Sequence, residues 1–444
     1  MKKLCIGLLG SILFMPNAFA LDLSLSECVR MIRKESQDLK KADANLAKAR
    51  AGLDSVNANR WFHIEGSATY MNIINVENPG DPMGIALPAN IAGIAASQGL
   101  PSDMIPGFIE FPDNMGMVGA TLSMPIYTFG KIGNAVDAAR SAIKMAESGN
   151  DLAQREVRFA AAQIYWTAKM TDELVKIADE NLKSSSDAHK KLTAAGRANR
   201  ANLVKISADI AAKEMALSDA EFNRDSAHRL LKIMAGIDAA EPLKLTDAFP
   251  DSFVNLDAPL ILESNPEWDI MEQKARMYES QAQSRRAAHY PTLGATAAYN
   301  YIATHTDYQM WHGNKSQTAY WGINLAVPLW DGGLARANAT MDAMDAAAVR
   351  QDLDKSKKMK SNEYVDAVSK HKHLADNLSK LKTARDLAVK AAKISADRFY
   401  AGQTSAVELA DVFAARVQMD MAVLNAKFNI LMSEENVKKL ATGN

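Results

Sequence analysis

Proline is missing from two stretches of the chain, 126–241 and 329–444, each 116 residues long. Nothing there breaks a helix, and both stretches are rich in Ala, Lys, Asp, Glu, Leu and Met, a mixture that favours one. Cysteine is nearly absent as well. Cys5 lies in the leading segment and only Cys28 follows it, so a processed chain has no intrachain disulfide. An excess of one charge is also lacking: the net charge is −1 and no basic stripe is present, which argues against electrostatic nucleic-acid binding. Long apolar runs are missing beyond Ala20, so passage through a membrane would require strands closed into a barrel. The eight histidines make no HExxH and no paired-ligand spacing, and His371 and His373 are too close in sequence to share a helix face. No catalytic, cofactor-binding or metal site is expected.

The first twenty residues have a purpose of their own. Lys2 and Lys3 precede the apolar run "LCIGLLGSILFM", and Ala18 and Ala20 form an A-x-A cut site. This is the pattern of a secretory signal peptide cleaved after Ala20, and the run is too short to span a bilayer. Leu21 rather than a cysteine follows the cut, so no lipid anchor is expected.

Each proline-free arm is divided once, by a Gly-marked turn. "LTAAGRANRANLV" places Gly196 before Asn199, and "FYAGQTSAVELADV" places Gly402 before Ser405. A Gly followed by a polar cap is the signal of one helix ending and the next beginning, so each arm is expected to be a helical hairpin. A continuous helix over 131–195 would be about 100 Å long, too long for a compact domain. Cys28, Ile32, Glu35, Leu39, Ala42, Leu46, Ala49, Leu53 and Val56 alternate steps of four and three. So do Val412, Arg416, Met419, Val423, Ala426 and Ile430. A mean step near 3.5 is a coiled-coil seam, with only Glu35 and Arg416 off pattern.

Alternating segments precede each arm: "RWFHIEGSATYMNI", "VGATLSMPIY", "TLGATAAYNYI" and "AYWGINLAVPLW". Ten-residue alternation with aromatics at the ends fits strands that face lipid on one side and water on the other. A half-buried soluble sheet would alternate in the same way. The signal peptide and the long helices favour the membrane. Four strands cannot close a barrel, for which about eight is the practical minimum, so a barrel would have to be shared among copies. Trp61, Trp321 and Trp330 would then lie near the membrane interfaces. Residues 72–116 contain no Lys or Arg and are rich in Pro, Gly and Met, as a long outer loop would be.

The order is therefore duplicated. A helix opening with "LSLSECV" leads to two strands, a junction "PIYTFGKI" and a hairpin. A second set follows with "PLWDGGLARA" and "FYAGQTSAVELADV". The expected division is a signal peptide over 1–20, a first repeat over 21–241, a linker over 242–265 and a second repeat over 266–444. In this order the chain resembles the TolC family of outer-membrane efflux and secretion ducts, over essentially the whole mature length. The resemblance implies an α+β membrane protein, a homotrimer in which each chain gives four strands to a twelve-stranded β-barrel. The barrel would continue into a periplasmic α-helical coiled-coil barrel. It further implies docking of a periplasmic adaptor attached to an inner-membrane efflux or ABC-type transporter, contact with outer-membrane lipid, and conduction without chemistry.

Residue roles follow from that resemblance. Glu408 and Asp411 match inward carboxylates that line the periplasmic aperture, and on a helix they share one face. Three copies would make two stacked acidic rings, which favour cations. Ser405-x-x-Glu408 also has the form of a capping box, so the ring role rests more on Asp411. Asn202 stands where the family commonly has an Asp, Thr404 where it often has an Arg, and Phe399 where it often has a Tyr. The family's gating lock is not expected intact, and Lys205 and Arg200 are the candidates for replacement pairing. Adaptor docking is expected beside the tips, at Ala195, Gly196, Arg197, Tyr400, Ala401, Gly402 and Thr404. Pro125 with Gly130, and Pro328 with Gly332 and Gly333, are the expected strand–helix junctions. Two other classes remain open. A periplasmic coiled-coil adaptor would carry one hairpin flanked by lipoyl-like β-domains, and a helical structural protein would leave the strands unexplained.

Overall fold

The computed structural model describes residues 21–72, 84–86, 108–110, 114–194, 200–251, 253, 262–305 and 314–441. Two compact units make up the chain. One comprises 1–47, 144–272 and 350–444, the other 48–143 and 273–349. Among the described residues no helix is long and apolar enough to cross a membrane.

In the first unit, β1 (Leu21–Leu23) pairs in parallel with β6 (Leu243–Leu245), a strand in the segment read from sequence as a linker. Helix α1 (Leu25–Glu35) begins at Ser24 with both halves of a capping box, Glu27 N–H to Ser24 Oγ and Ser24 N–H to the Glu27 carboxylate. α2 (Gln37–Ala58) follows after a break at Ser36, whose ψ of 121° is not helical. The seam read from the sequence continues across that break. Cys28 and Ile32 are buried, Leu39, Ala42, Leu46, Ala49, Leu53 and Val56 are half-buried, and Glu35 is exposed. Helices α3 (Lys131–Ala194), α4 (Arg200–Ala235), α6 (Leu334–Tyr400) and α7 (Ala406–Leu440) supply the remaining core of this unit. At one level Leu23, Cys28, Ile32, Tyr165, Trp166, Leu231 and Leu245 pack together. The Tyr165 hydroxyl ties both short strands into this core, donating to Leu23 O at 3.2 Å and accepting from Asp247 N–H at 3.1 Å.

The second unit is built on a four-stranded antiparallel sheet in the order β2 (His63–Asn72), β5 (Asn114–Tyr127), β7 (Thr292–His305), β8 (Asn314–Ala326). A short hairpin of β3 (Gly84–Ala86) and β4 (Phe108–Glu110) lies within the long segment that joins β2 to β5. The register gathers the apolar positions onto one face. Ile64, Leu122, Ala297 and Trp321 form one row, and Ala68, Val118 and Tyr301 form another. That face is open: Trp321 is 81% exposed, Ile64 66% and Ile323 65%. Helix α5 (Pro266–Ala287) leads into β7, and Arg285 ties it to Asp342 on α6 at 2.5 Å.

Two strand boundaries differ from the alternation. β5 starts at Asn114 rather than near Val118, because Gly116 on the apolar face and Met115 and Met117 opposite break the pattern. Asn114 is nonetheless buried and accepts from Tyr70 Oη at 2.7 Å and Asn72 Nδ2 at 2.8 Å. β8 stops at Ala326, so Val327 to Trp330 lie outside the sheet.

Cys28 is fully buried, and burial pushes its thiol up to about 12 from an ordinary value near 9. The folded thiol keeps its proton where the unfolded one loses it. This contribution is therefore complete below about pH 9 and declines by about 1.4 kcal/mol per pH unit between there and about pH 12. In a chain that begins at Leu21, where Cys28 is the one cysteine, a maleimide at pH 8 is expected to leave the folded protein unlabelled and to label one site after denaturation. Melting at pH 10 should fall less, relative to pH 7, in Cys28→Ser than in the parent.

Candidate functional site: the hairpin tips and strand–helix junctions

The second tip lies between Tyr400 and Ala406. Helix α6 ends with Gly402 at φ +80°, Gly402 N–H bonded to Phe399 O at 2.9 Å and Gln403 N–H to Arg398 O at 2.8 Å. This pair of bonds is a Schellman motif, and its left-handed residue strongly prefers Gly. Ser405 then caps α7, its Oγ accepting from Glu408 N–H at 3.2 Å. Among the described residues the Glu408 carboxylate has no hydrogen-bond or ion-pair partner, so the capping box is only half made. Glu408 and Asp411 are both exposed. Thr404 Oγ1 is buried without a partner among the described residues, and Lys191 Nζ sits 4.6 Å from the centre of the Tyr400 ring. Phe399, where a Tyr was the family's residue, is buried among Ala188, Ile206, Ala392, Ala406, Leu409 and Phe413. Its ring has no hydroxyl to satisfy in that apolar setting.

Of the first tip, Gly196, Arg197 and Ala195 lie outside the described residues. Just beyond it, Asn202 is half-buried and Lys205 exposed. Lys205 and Asp411 line a common groove of about 350 Å³ between α3, α4 and α7. Among the described residues no ion pair joins them, and none involves Arg200.

Deeper in the groove is a cluster that sequence reasoning missed. Lys213 on α4 is buried. Its amine lies 2.8 Å from Asp209 Oδ2 and bonds Ser185 Oγ on α3, while the Ser185 hydroxyl donates to Asp209 at 2.8 Å. The same amine stands 5.5 Å from the centre of the Phe413 ring on α7. Two turns or so farther along α7, Asp420 takes Arg385 Nε of α6 at 2.7 Å. Arg416 lies between Asp420 at 3.5 Å and Glu180 of α3 at 3.4 Å. The two hairpins are thus joined by charge as well as by apolar packing. Asp209 and Lys213 are an i, i+4 pair visible in the sequence. Ser185 and Phe413 are remote in sequence, and only the fold brings them in.

The junctions share one conformation reached with different residues. After β5, Phe129 (φ +47°) and Gly130 (φ +88°) are both left-handed before α3. After β8, Gly332 (φ +67°) and Gly333 (φ +87°) do the same before α6. Phe129 accepts a strained backbone, about 1–2 kcal/mol, and its ring packs edge-on to Tyr127 at 4.6 Å. Asp331 caps α6, accepting from Gly333 N–H and Ala335 N–H at 2.9 Å each. Those bonds, that from Ala335 first, hold its carboxyl below the ordinary range. Thr128 serves α3 similarly, accepting from Lys131 N–H through its carbonyl and from Ile132 N–H through Oγ1. Pro125 is not the end of its strand. It lies inside β5 opposite Gly294, next to a bulge at Ile126. Pro328, by contrast, lies beyond the end of β8.

Removing the buried amine leaves Asp209 uncompensated, so Lys213→Met is expected to destabilise the chain by about 2–3 kcal/mol. A double-mutant cycle with Asp209→Asn, followed by thermal melting, measures the coupling and should recover part of that loss. Gly333→Ala should cost about 1–2 kcal/mol through its positive φ. Gly322→Ala, in an extended strand with open space at the Cβ position, serves as the neutral comparison.

Known proteins match this architecture. The outer membrane efflux protein family matches residues 89–236 and 258–443. No curated protein sequence matches. Among solved structures, CusC shares 16% identity over 96% of this chain and 94% of its own, with a TM-score of 0.77. The Campylobacter jejuni CmeC outer membrane channel shares 18% identity over 94% of this chain and 85% of its own, at 0.75. The Vibrio cholerae outer membrane protein VceC shares 17% over 94% and 96%, at 0.71. At these identities the structures establish a common fold. The family match, which covers most of its length, shows that the chain belongs to the outer membrane efflux protein family.

Proposed function

We propose that the chain is the outer-membrane duct of a tripartite efflux pump or a type I secretion system, assembled as a homotrimer. Three copies give four strands each to one twelve-stranded barrel, and the helices continue it as a coiled-coil tunnel in the periplasm. The observation that carries this is the sheet itself. Its apolar face is exposed in rows that run across four strands, and the outer edges of its two end strands, β2 and β8, are unpaired among the described residues. In lipid an unpaired strand edge is untenable, so closure with further copies satisfies both edges at once.

The two repeats are assigned to 21–241 and 266–444, joined by 242–265, after a signal peptide is removed behind Ala20 with no lipid anchor. Glu408 and Asp411 form stacked acidic rings at the periplasmic aperture. Their exposure and their lack of partners among the described residues of one chain leave them free to act together. Asn202 and Lys205 flank that opening. The tips, around Gly196, Arg197, Tyr400, Gly402 and Thr404, receive a periplasmic adaptor attached to an inner-membrane efflux or ABC-type transporter. Substrate passes through without a chemical step.

Fractionation of cells is expected to place a mature trimer in the outer membrane, as a band that dissociates on heating. A soluble periplasmic monomer would refute the duct. In planar bilayers Glu408→Ala with Asp411→Ala should lower the permeability ratio of K⁺ to Cl⁻ several-fold. An unchanged ratio would remove the aperture role from these two residues.

A further inference from the structure

The sheet has a second face, and its chemistry is uneven. Residues alternate with the apolar rows, so the register sets Glu65, Thr121, Ala298 and Tyr320 in one row of the polar face. Ser67, Gly119, Asn300 and Thr318 form the next, and His63, Ser123, Thr296 and Gly322 lie on the other side. Across all four strands Glu65 is the single carboxylate. It is exposed and has no hydrogen-bond or ion-pair partner among the described residues. His63 shares its face one row nearer the helices. Lys315 has the opposite parity, at the far end of β8.

The residues around Glu65 keep this wall thin and neutral. Asn300 lies across Gly119 so closely that a Cβ there would meet its Oδ1 at 2.2 Å, and Asn324 lies over Gly294 with a corresponding distance of 3.0 Å. The Asn300 amide is half-buried against Gly119, while Asn324 stays exposed beside Gly294. Ala298, beside Thr121 in the Glu65 row, is small and buried. Glu65 is then the one carboxylate over a face otherwise made of amides, hydroxyls, small apolar groups, methionines and the His63 imidazole.

We propose that Glu65 sets charge selectivity inside the barrel, as a ring of three carboxylates in the wall, separate from Glu408 and Asp411. This rests on the trimeric duct proposed above. With the apolar face toward lipid, the Glu65 face lines the water-filled lumen. Glu65 is the third residue of β2 and so stands near the end of the sheet that adjoins α2. Low-dielectric walls focus the field of such a ring on the pore, attracting cations and repelling anions, with small divalent ions held most strongly. A carboxylate facing water on a sheet can equally serve only for solubility, and the two roles differ in what current through the pore reveals.

The full-length protein is reconstituted in planar bilayers, with Mg²⁺ added on the side of the barrel loops. Parent channels should lose conductance as Mg²⁺ rises and select K⁺ over Cl⁻. Glu65→Gln should lose the loop-side Mg²⁺ effect and lower the permeability ratio several-fold, while Glu65→Asp keeps both. Glu408→Ala with Asp411→Ala should retain the loop-side Mg²⁺ effect. Each variant is checked for a heat-labile trimer band, and Glu65→Asp controls for loss of assembly. Conducting Glu65→Gln channels with parental selectivity and Mg²⁺ response would overturn the role of Glu65 and leave the duct standing. A parent that forms no trimer and no channel would overturn both.

Discussion

Four antiparallel strands with one apolar face can neither close on themselves nor remain open in lipid. That constraint governs the rest of the chain. In the proposed duct every backbone group on the outer edges of β2 and β8 requires a partner, and the row containing Ile64, Leu122, Ala297 and Trp321 faces lipid instead of water. The sheet tolerates this because its register is pinned from both sides. Apolar residues align on one face, while Asn300 and Asn324 fit over glycines on the other. A slip of one residue would exchange the two faces on a strand.

The helical part solves a different problem. Alanines such as Ala161, Ala188, Ala235, Ala392 and Ala406 are buried at its contacts, and they allow close approach while removing little apolar surface each. Such seams leave axial register weakly specified. Two polar clusters supply it. Lys213 with Asp209 and Ser185 holds α3 to α4 under Phe413, and Asp420 with Arg385 and Arg416 joins α6 and α7 to Glu180 on α3. Charges partly screened from water are demanding about geometry, so a helix shifted by one turn would lose several bonds together.

Much of this was legible in the residues. The two proline-free stretches and the Gly-marked turns describe the long helices, and the 3.5-residue seam from Cys28 to Val56 is the covered side of α1 and α2, buried at Cys28 and Ile32 and half-buried from Leu39 onward, with Glu35 exposed. The four alternating segments are the four strands of the large sheet. The break at Ser36 was not legible, because the apolar spacing runs through it unchanged. Nor was the start of β5, where glycine and methionine erase the alternation. The Pro-aromatic-Gly echo hid a difference. Pro125 lies within its strand beside a bulge, Pro328 lies outside, and what the junctions share is two consecutive left-handed residues.

The division has a physical basis. Periodicity, turn chemistry and the missing prolines act locally, so the linear order of residues determines where helices and strands run and which face of each is apolar. The approach of Ser185 and Phe413 to Lys213, that of Arg385 to Asp420, the closeness of Asn300 to Gly119 and the row shared by Glu65 and Tyr320 depend on segments separated by tens to hundreds of residues. Only folding brings those segments within hydrogen-bonding distance, and tertiary structure alone decided them.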